Sequence, residues 1–308
     1  MTVYRFAVLK LLTAAIIWGL SFTLIRWTLE SFTTSQILFW RFLFAFFIGE
    51  ILFFVFNRKD YKNSHSDIKI ALNTGLVLGI SLLFQIHGLN FTTATNSAFI
   101  TATYVVMIPF VSYFLFKQKI QKYDVLLGIL ALCGMMLLLN VFYDSSFSLA
   151  QFNFGDVLTF GSAVTAAIQI TLIGVFAKRC VSPFRFNNYQ TFWALIACSP
   201  FIFYEIHSKK LSLWPEHVTS LALVGMVLLI LSVSIVAFYL QISAQRNLPT
   251  STASMLCLLE APFSFVFATL LLNESISPLQ SFGAFVIVMS AFLSVFMEQR
   301  KSADHVVT

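Results

Sequence analysis

The sequence predicts an all-α membrane protein of ten transmembrane helices, built as two inverted five-helix repeats with both termini in the cytoplasm. Three observations predict it: the scarcity of charge, the alternation of basic residues between successive apolar runs, and a faint internal repeat. Of the 308 residues, 58% are hydrophobic and 10% are charged, whereas a soluble domain carries about 25% charged residues. So few charges cannot clothe a water-facing surface. A spanning helix needs about 20 apolar residues, because roughly 30 Å of hydrocarbon is crossed at 1.5 Å per residue. Ten such spans with short connections account for the chain.

Taken in order, apolar runs bounded by charge, proline or glycine place spans near 7–26, 35–56, 68–87, 94–116 and 124–141, then 154–177, 186–206, 217–241, 250–272 and 278–297. The first run follows basic residues, as a leader peptide does, but it continues to Leu24 without a small-residue cleavage site, so it reads as the first span. The stretch 142–153 reads as a periplasmic linker. It divides a first repeat at 1–141 from a second at 154–297, leaving 298–308 as a cytoplasmic tail.

The net charge of +6 lies in short clusters between apolar runs. That is the pattern of membrane topology and not of a nucleic-acid-binding face, and no nucleic-acid partner is expected. With the N-terminus inside, fifteen of the 19 Lys and Arg fall on cytoplasmic segments; Arg26, Lys209 and Lys210 fall outside, and Arg41 lies within a span. One helix more or fewer would scramble this division. The four cysteines, Cys133, Cys180, Cys198 and Cys257, are widely spaced with no Cys-x-x-Cys or Cys/His pattern, so neither a disulfide framework, a metal site nor a cofactor is expected.

The repeat shows at an offset of 156 residues, which lays Phe84-Gln85-Ile86 on Leu240-Gln241-Ile242 and Tyr104 on Glu260. Loop charge strengthens it. The connection after the fourth span carries Lys117, Lys119 and Lys122, whereas its counterpart carries Glu274 and no base. Equivalent loops of opposite charge lie on opposite faces, as five spans per repeat must produce. Inverted repeats are a recurring construction of secondary transporters, with the substrate site near midplane at the repeat interface.

These segments resemble the EamA-type, ten-helix members of the drug/metabolite transporter superfamily over essentially the whole chain. The carrying residues are Trp18-Gly19, Trp40-Arg41-Phe42, Gln85 with Gly88-Leu89, and Thr92-Thr93-Ala94-Thr95-Asn96-Ser97; in the second half they are Gly155-Asp156, Ser182-Pro183, Leu248-Pro249-Thr250, Leu259-Glu260-Ala261-Pro262 and Leu272-Asn273-Glu274. Lys117-Gln118-Lys119 departs from the pattern, standing where such proteins often carry an acidic residue. The resemblance implies carriage of small organic solutes, such as amino acids, drugs or metabolites, often outward, across the bacterial inner membrane.

The candidates for substrate binding or coupling are Glu260, Tyr104, Gln85, Gln241, Asn96, Arg41 and Trp18. Glu260 is mid-span, where a charge costs at least ~2.5 kcal/mol on insertion scales. It reads either as a proton-coupling or ammonium-binding group or as a protonated structural fixture beside Pro262. Arg41 reads as a carboxylate contact or, the favoured reading, as a side chain reaching the outer headgroups. Gln85 and Gln241 occupy matching positions and either bind substrate across the repeat axis or close the bundle by interhelical bonds. Tyr104 matches Glu260 in the repeat, Asn96 lies on the same span as Tyr104, and Glu50 is expected to pair locally or reach the interface. Ala71, Gly75 and Gly79 form a small-residue stripe for close helix approach, and Asp156 is expected to cap its helix.

The function expected is secondary transport of a small neutral or zwitterionic, partly apolar solute by alternating access, as an exporter or exchanger with possible proton coupling. Its partners are the lipid bilayer and the small-molecule substrate, and it acts as a monomer or homodimer. A channel or receptor is the second reading. The spans hold no His-Glu-x-x-His, paired midplane Asp or Ser/His constellation, so no enzyme is expected.

Overall fold

The computed structural model describes residues 2–57, 63–141, 153–210, 212–272 and 275–307. Residues 142–152 of the linker, with Arg58, Lys59, Lys62, Asn273 and Glu274, lie outside the described residues. The described residues are helical, with no strand among them. In the first half α1 spans Thr2–Thr28, α2 Thr34–Phe56 and α3 Ser66–Leu89; α4 (Ala94–Ala102) and α5 (Tyr104–Phe116) follow in tandem, then α6 (Lys122–Leu138). In the second half α7 spans Phe154–Phe176 and α8 Pro183–Ser208. Then α9 (Ser220–Leu228) runs through a π-helical stretch, Leu229–Ala237, into α10 (Phe238–Gln245), followed by α11 (Thr250–Cys257), α12 (Glu260–Leu272) and α13 (Pro278–Val307).

Polar residues at the edges of the apolar runs start these helices. The side chains of Thr33, Thr93, Asn153, Ser182 and Thr219 each accept a hydrogen bond from a backbone N–H three residues on, satisfying donors that the first helical turn leaves open. Asn153 and Asp156 cap reciprocally, so the capping role expected of Asp156 holds. Asp156 also accepts from Thr92 at 2.5 Å, which ties the start of α7 to the end of α3.

Among the described residues, eight helical runs are long and apolar enough to cross a bilayer. The two expected spans that fall short do so for different reasons. With 17 residues, α6 reaches only about 25 Å at 1.5 Å per residue. The 26-residue α8 is long enough, but Arg185, Asn187, Asn188 and Gln190 crowd its first half with polar groups.

Two expected single spans, 94–116 and 250–272, are each broken in the middle. Pro262 has no N–H for the carbonyl of Leu258 and its ring crowds that carbonyl, so Leu258 accepts instead from Ala261, at 3.1 Å. In the first half Thr103 marks the break, its hydroxyl bonded back to the Ile100 carbonyl. The boundaries keep one register: α4 and α11, α5 and α12, and α6 and α13 begin 156 residues apart. The π-helical stretch was not expected from sequence. Its wide turns leave carbonyls open, and Asn187 of α8 donates to those of Ser234 and Ile235 at 3.0 and 3.2 Å.

The helix neighbours are unchanged when the two halves are exchanged. α3 packs on α7 and α8, as the α9–α10 rod packs on α1 and α2; α4 and α5 pack on α7, as α11 and α12 pack on α1; α2 meets α8, and α6 meets α13. Both self-paired contacts are antiparallel. Phe39 lies against Phe203 and Phe46 against Phe192 across α2 and α8, and Tyr123 at the start of α6 bonds Glu298 far along α13. The small-residue stripe serves the α3–α8 contact. A Cβ on Gly75 would sit 2.5 Å from the Gln190 carbonyl oxygen, a backbone atom that cannot yield without moving the helix.

Candidate functional site

A cavity of about 610 Å³ lies among α1, α3, the α4–α5 pair, α6 and α12. Its mouth is at the end of the bundle where α1, α3 and α12 finish, marked by Arg26, Leu89 and Leu272. Its walls are mostly apolar, with Phe22, Met135, Leu139 and Phe265 among them, and carry the hydroxyls of Ser97, Thr101 and Ser264. The two helix breaks place its most polar residues. Tyr104 is the first residue of α5 and Glu260 the first of α12, each ten residues past the start of its rod and so about 15 Å deep at 1.5 Å per residue, near the middle of a 30 Å hydrocarbon layer. Glu260 stands at the positive end of the α12 dipole, a favourable place for a carboxylate. Among the described residues it makes no hydrogen bond or ion pair.

Three sequence candidates, Glu260, Tyr104 and Gln85, therefore share one cavity. The others do not line it. Gln241, the repeat partner of Gln85, is buried at 2% exposure; Asn96 is buried one residue before Ser97, and its backbone N–H binds Thr93. Trp18 packs edge-on against Phe238, ring centroids 5.6 Å apart. Arg41 does not reach toward headgroups, the reading favoured from sequence. It is 7% exposed, lies over the Phe42 ring at 5.0 Å, and its Nε has no hydrogen-bond partner. The reason is register: seven residues into α2, it falls on the face that meets α8.

At the opposite end several repeat counterparts of the cavity walls are packed, beneath two smaller pockets of about 330 and 220 Å³ that include Arg246, Thr250 and Ser112 in their lining. Ala253, Cys257 and Ala291, which match Ser97, Thr101 and Met135, are each under 5% exposed. Ser112 lies 3.5 Å from Thr171, and Gln245 donates to the Ile170 carbonyl at 3.2 Å. The short α7–α8 connection is gripped from two sides. Asp67 accepts from the N–H groups of Val181 and Ser182, both at 2.9 Å, and Arg246 donates to the carbonyls of Ala177, at 2.8 Å, and Cys180. Burial in this connection pushes the Cys180 thiol above its ordinary value despite the neighbouring Arg246.

A polar clamp joins α2 to α8 at the same end. Arg185 pairs with Glu50 at 2.8 Å, donates to the Tyr189 hydroxyl and lies over the rings of Phe53 and Tyr189, while Asn188 donates to Glu50 at 2.5 Å. Glu50 does pair, but across helices with a residue 135 positions away and not locally. Sequence reading missed its partner by counting Arg185 as a loop base. The available signal was Glu50 itself, since an acid inside a span requires a buried cation or donor.

An all-helical bundle with at least eight bilayer-length apolar helices and a cavity at mid-depth defines a multi-pass membrane protein. The chain belongs to the EamA-like transporter family, which it matches over residues 5–140 and again over 153–296. Among curated relatives, an uncharacterized transporter of Archaeoglobus fulgidus is 29% identical over 288 residues, covering 94% of this chain and 85% of its own. The uncharacterized transporter YetK of Bacillus subtilis is 24% identical over 268 residues, covering 85% and 78%. A solved crystal structure superposes with a TM-score of 0.74 at 15% identity, covering 96% of this chain and 98% of that one, a likeness of fold.

Proposed function

We propose that the protein is a ten-span secondary transporter, termini in the cytoplasm, which moves a small, partly apolar organic solute outward through the cavity by alternating access. The observation that carries this reading is the asymmetry of a symmetric scaffold. The larger cavity reaches Tyr104 and Glu260 from one end, while from the other only two smaller pockets enter and the matching residues Gln241 and Cys257 are packed. Two halves with the same neighbours can exchange these packings, which would close the mouth and open the opposite end. The charge distribution supports an open mouth outside the cell.

Flux into proteoliposomes, scanned over labelled amines, amino acids and nucleosides, tests the transport reading. Protein-dependent flux of at least one solute is expected, and Ala98→Trp, which fills the cavity wall, should reduce it to the rate of empty vesicles. Flux that survives in a well-folded Ala98→Trp protein would remove the cavity from the pathway.

Orientation is tested with an impermeant thiol reagent. Cys180 is a poor reporter, being buried with a raised thiol value. In a Cys133→Ser background, Lys119→Cys should label only after permeabilisation and His217→Cys in intact cells. The reverse result would invert the topology.

A further inference from the structure

We propose that the solute is an organic amine whose single positive charge sits at one end of an apolar body, held by the Glu260 carboxylate at the depth of the cavity. This rests on the transporter reading and replaces the neutral or zwitterionic solute expected from sequence with a singly charged one.

Four features of the cavity point to this class. First, Glu260 is the sole carboxylate among the described lining residues, and no described residue pairs with it. An acid at this depth is stable only when a proton or a cation accompanies it. Second, the nearby polar atoms suit a donor. Gln85 lends a carbonyl oxygen from the same cavity. Third, aromatic rings of Tyr104, Phe22 and Phe265 line the space, and aromatic faces attract ammonium groups. Fourth, apart from the hydroxyls of Thr23, Ser97 and Ser264 and Arg26 at the mouth, the remaining wall is apolar, which matches an apolar body.

Among the described residues, the absence of a cation beside the carboxylate argues against an α-amino acid. Arg41, the base expected to take a carboxylate, is packed between α2 and α8 and does not reach the cavity. Arg26 lines the mouth. Gly19 of α1 is level with Phe263 of α12, so Arg26 lies seven residues toward the mouth from that level and Glu260 three residues the other way. The ten residues between them correspond to about 15 Å along the helix axes. The ammonium and carboxylate of an α-amino acid, carried on one carbon, meet both groups only if the Arg26 side chain extends back along the cavity, so the separation disfavours that class. The titratable and charged groups around Glu260 are Tyr104 from α5, Cys257 one turn back on α11 and Arg26 of α1 at the mouth, and none of them is a fixed cation at the carboxylate.

Calorimetric titration of the purified full chain with solutes of one skeleton tests the assignment. The probes are 2-phenylethylamine, 2-phenylethanol, phenylalanine and 3-phenylpropionate. The amine should bind, and the other three more weakly by about tenfold or more, the weight of one charge-assisted contact. Glu260→Gln should lose amine affinity by a similar factor. Where that variant does not fold, the wild type answers alone: the amine should protect Glu260 from a hydrophobic carbodiimide, read by mass spectrometry, and the alcohol should not. Failure of the amine to bind, equal binding of phenylalanine or 2-phenylethanol, or full amine affinity in Glu260→Gln would overturn the proposal. Vesicle flux of other solutes alongside any of these results removes the amine assignment and leaves the transporter reading. Absence of flux for every solute removes the transporter reading.

Discussion

Replacing Arg185 with alanine is expected to destabilise the protein by about 3–5 kcal/mol, the usual cost of stranding one member of a buried ion pair. Arg185 is 1% exposed and Glu50 22% exposed, so water cannot fully replace the guanidinium. The variant also leaves the Tyr189 hydroxyl and the Phe53 ring without the group they face. Thermal unfolding in detergent measures the loss. The double variant Arg185→Met, Glu50→Met should recover most of it, because two apolar side chains of similar volume remove both charges together. A single variant as stable as the wild type would show that the clamp contributes nothing. In the proposed transport cycle this clamp helps to keep the packed end shut, so the single variant should also raise thiol labelling of Ser112→Cys from the cytoplasmic side.

Glu260→Gln is expected to abolish solute accumulation driven by a pH gradient while leaving the protein folded. Glutamine keeps the size and hydrogen-bonding capacity of a protonated glutamate but cannot release a proton or hold a cation. A carboxylate that carries either a proton or an ammonium, never both, links their opposite movements, and the amide removes that link. Proteoliposomes with an imposed gradient should show wild-type accumulation above the external level and, for the variant, no more than equilibration. Gradient-driven accumulation retained in Glu260→Gln would eliminate the coupling role. Tyr104→Phe makes the smaller companion change, removing a hydroxyl from the same cavity floor. Its expected effect is weaker solute binding with the gradient response preserved.

Much of this architecture is legible in the amino-acid order. Apolar runs located most of the helices to within a few residues, although α13 continues ten residues past its expected end at 297, and the repeat offset of 156 reappears in the starts of α4 and α11, α5 and α12, and α6 and α13. The pairing of Tyr104 with Glu260 follows from the same offset, and both residues do line one cavity. Other features were not legible. Gln85 and Gln241 are equivalent in sequence, yet one lines the cavity and the other is packed, because a repeat fixes equivalence and a conformation breaks it. The break at Leu258 is announced by Pro262, but the one at Thr103 interrupts a run that hydropathy reads as continuous, and the π-helical stretch at Leu229–Ala237 leaves no trace in an apolar sequence.

By itself the sequence determined that this chain lives in a bilayer, where its helices lie, and that its halves are related, since each depends on composition and order along the chain. Tertiary structure decided which polar groups are partnered and which are open. Arg185 became the partner of Glu50 and Arg41 a buried side chain facing α8, while Glu260 was left facing a cavity. The physical reason is that a helix presents every side chain in rotation, and only the neighbouring helices determine whether a given face meets lipid, another helix or open space.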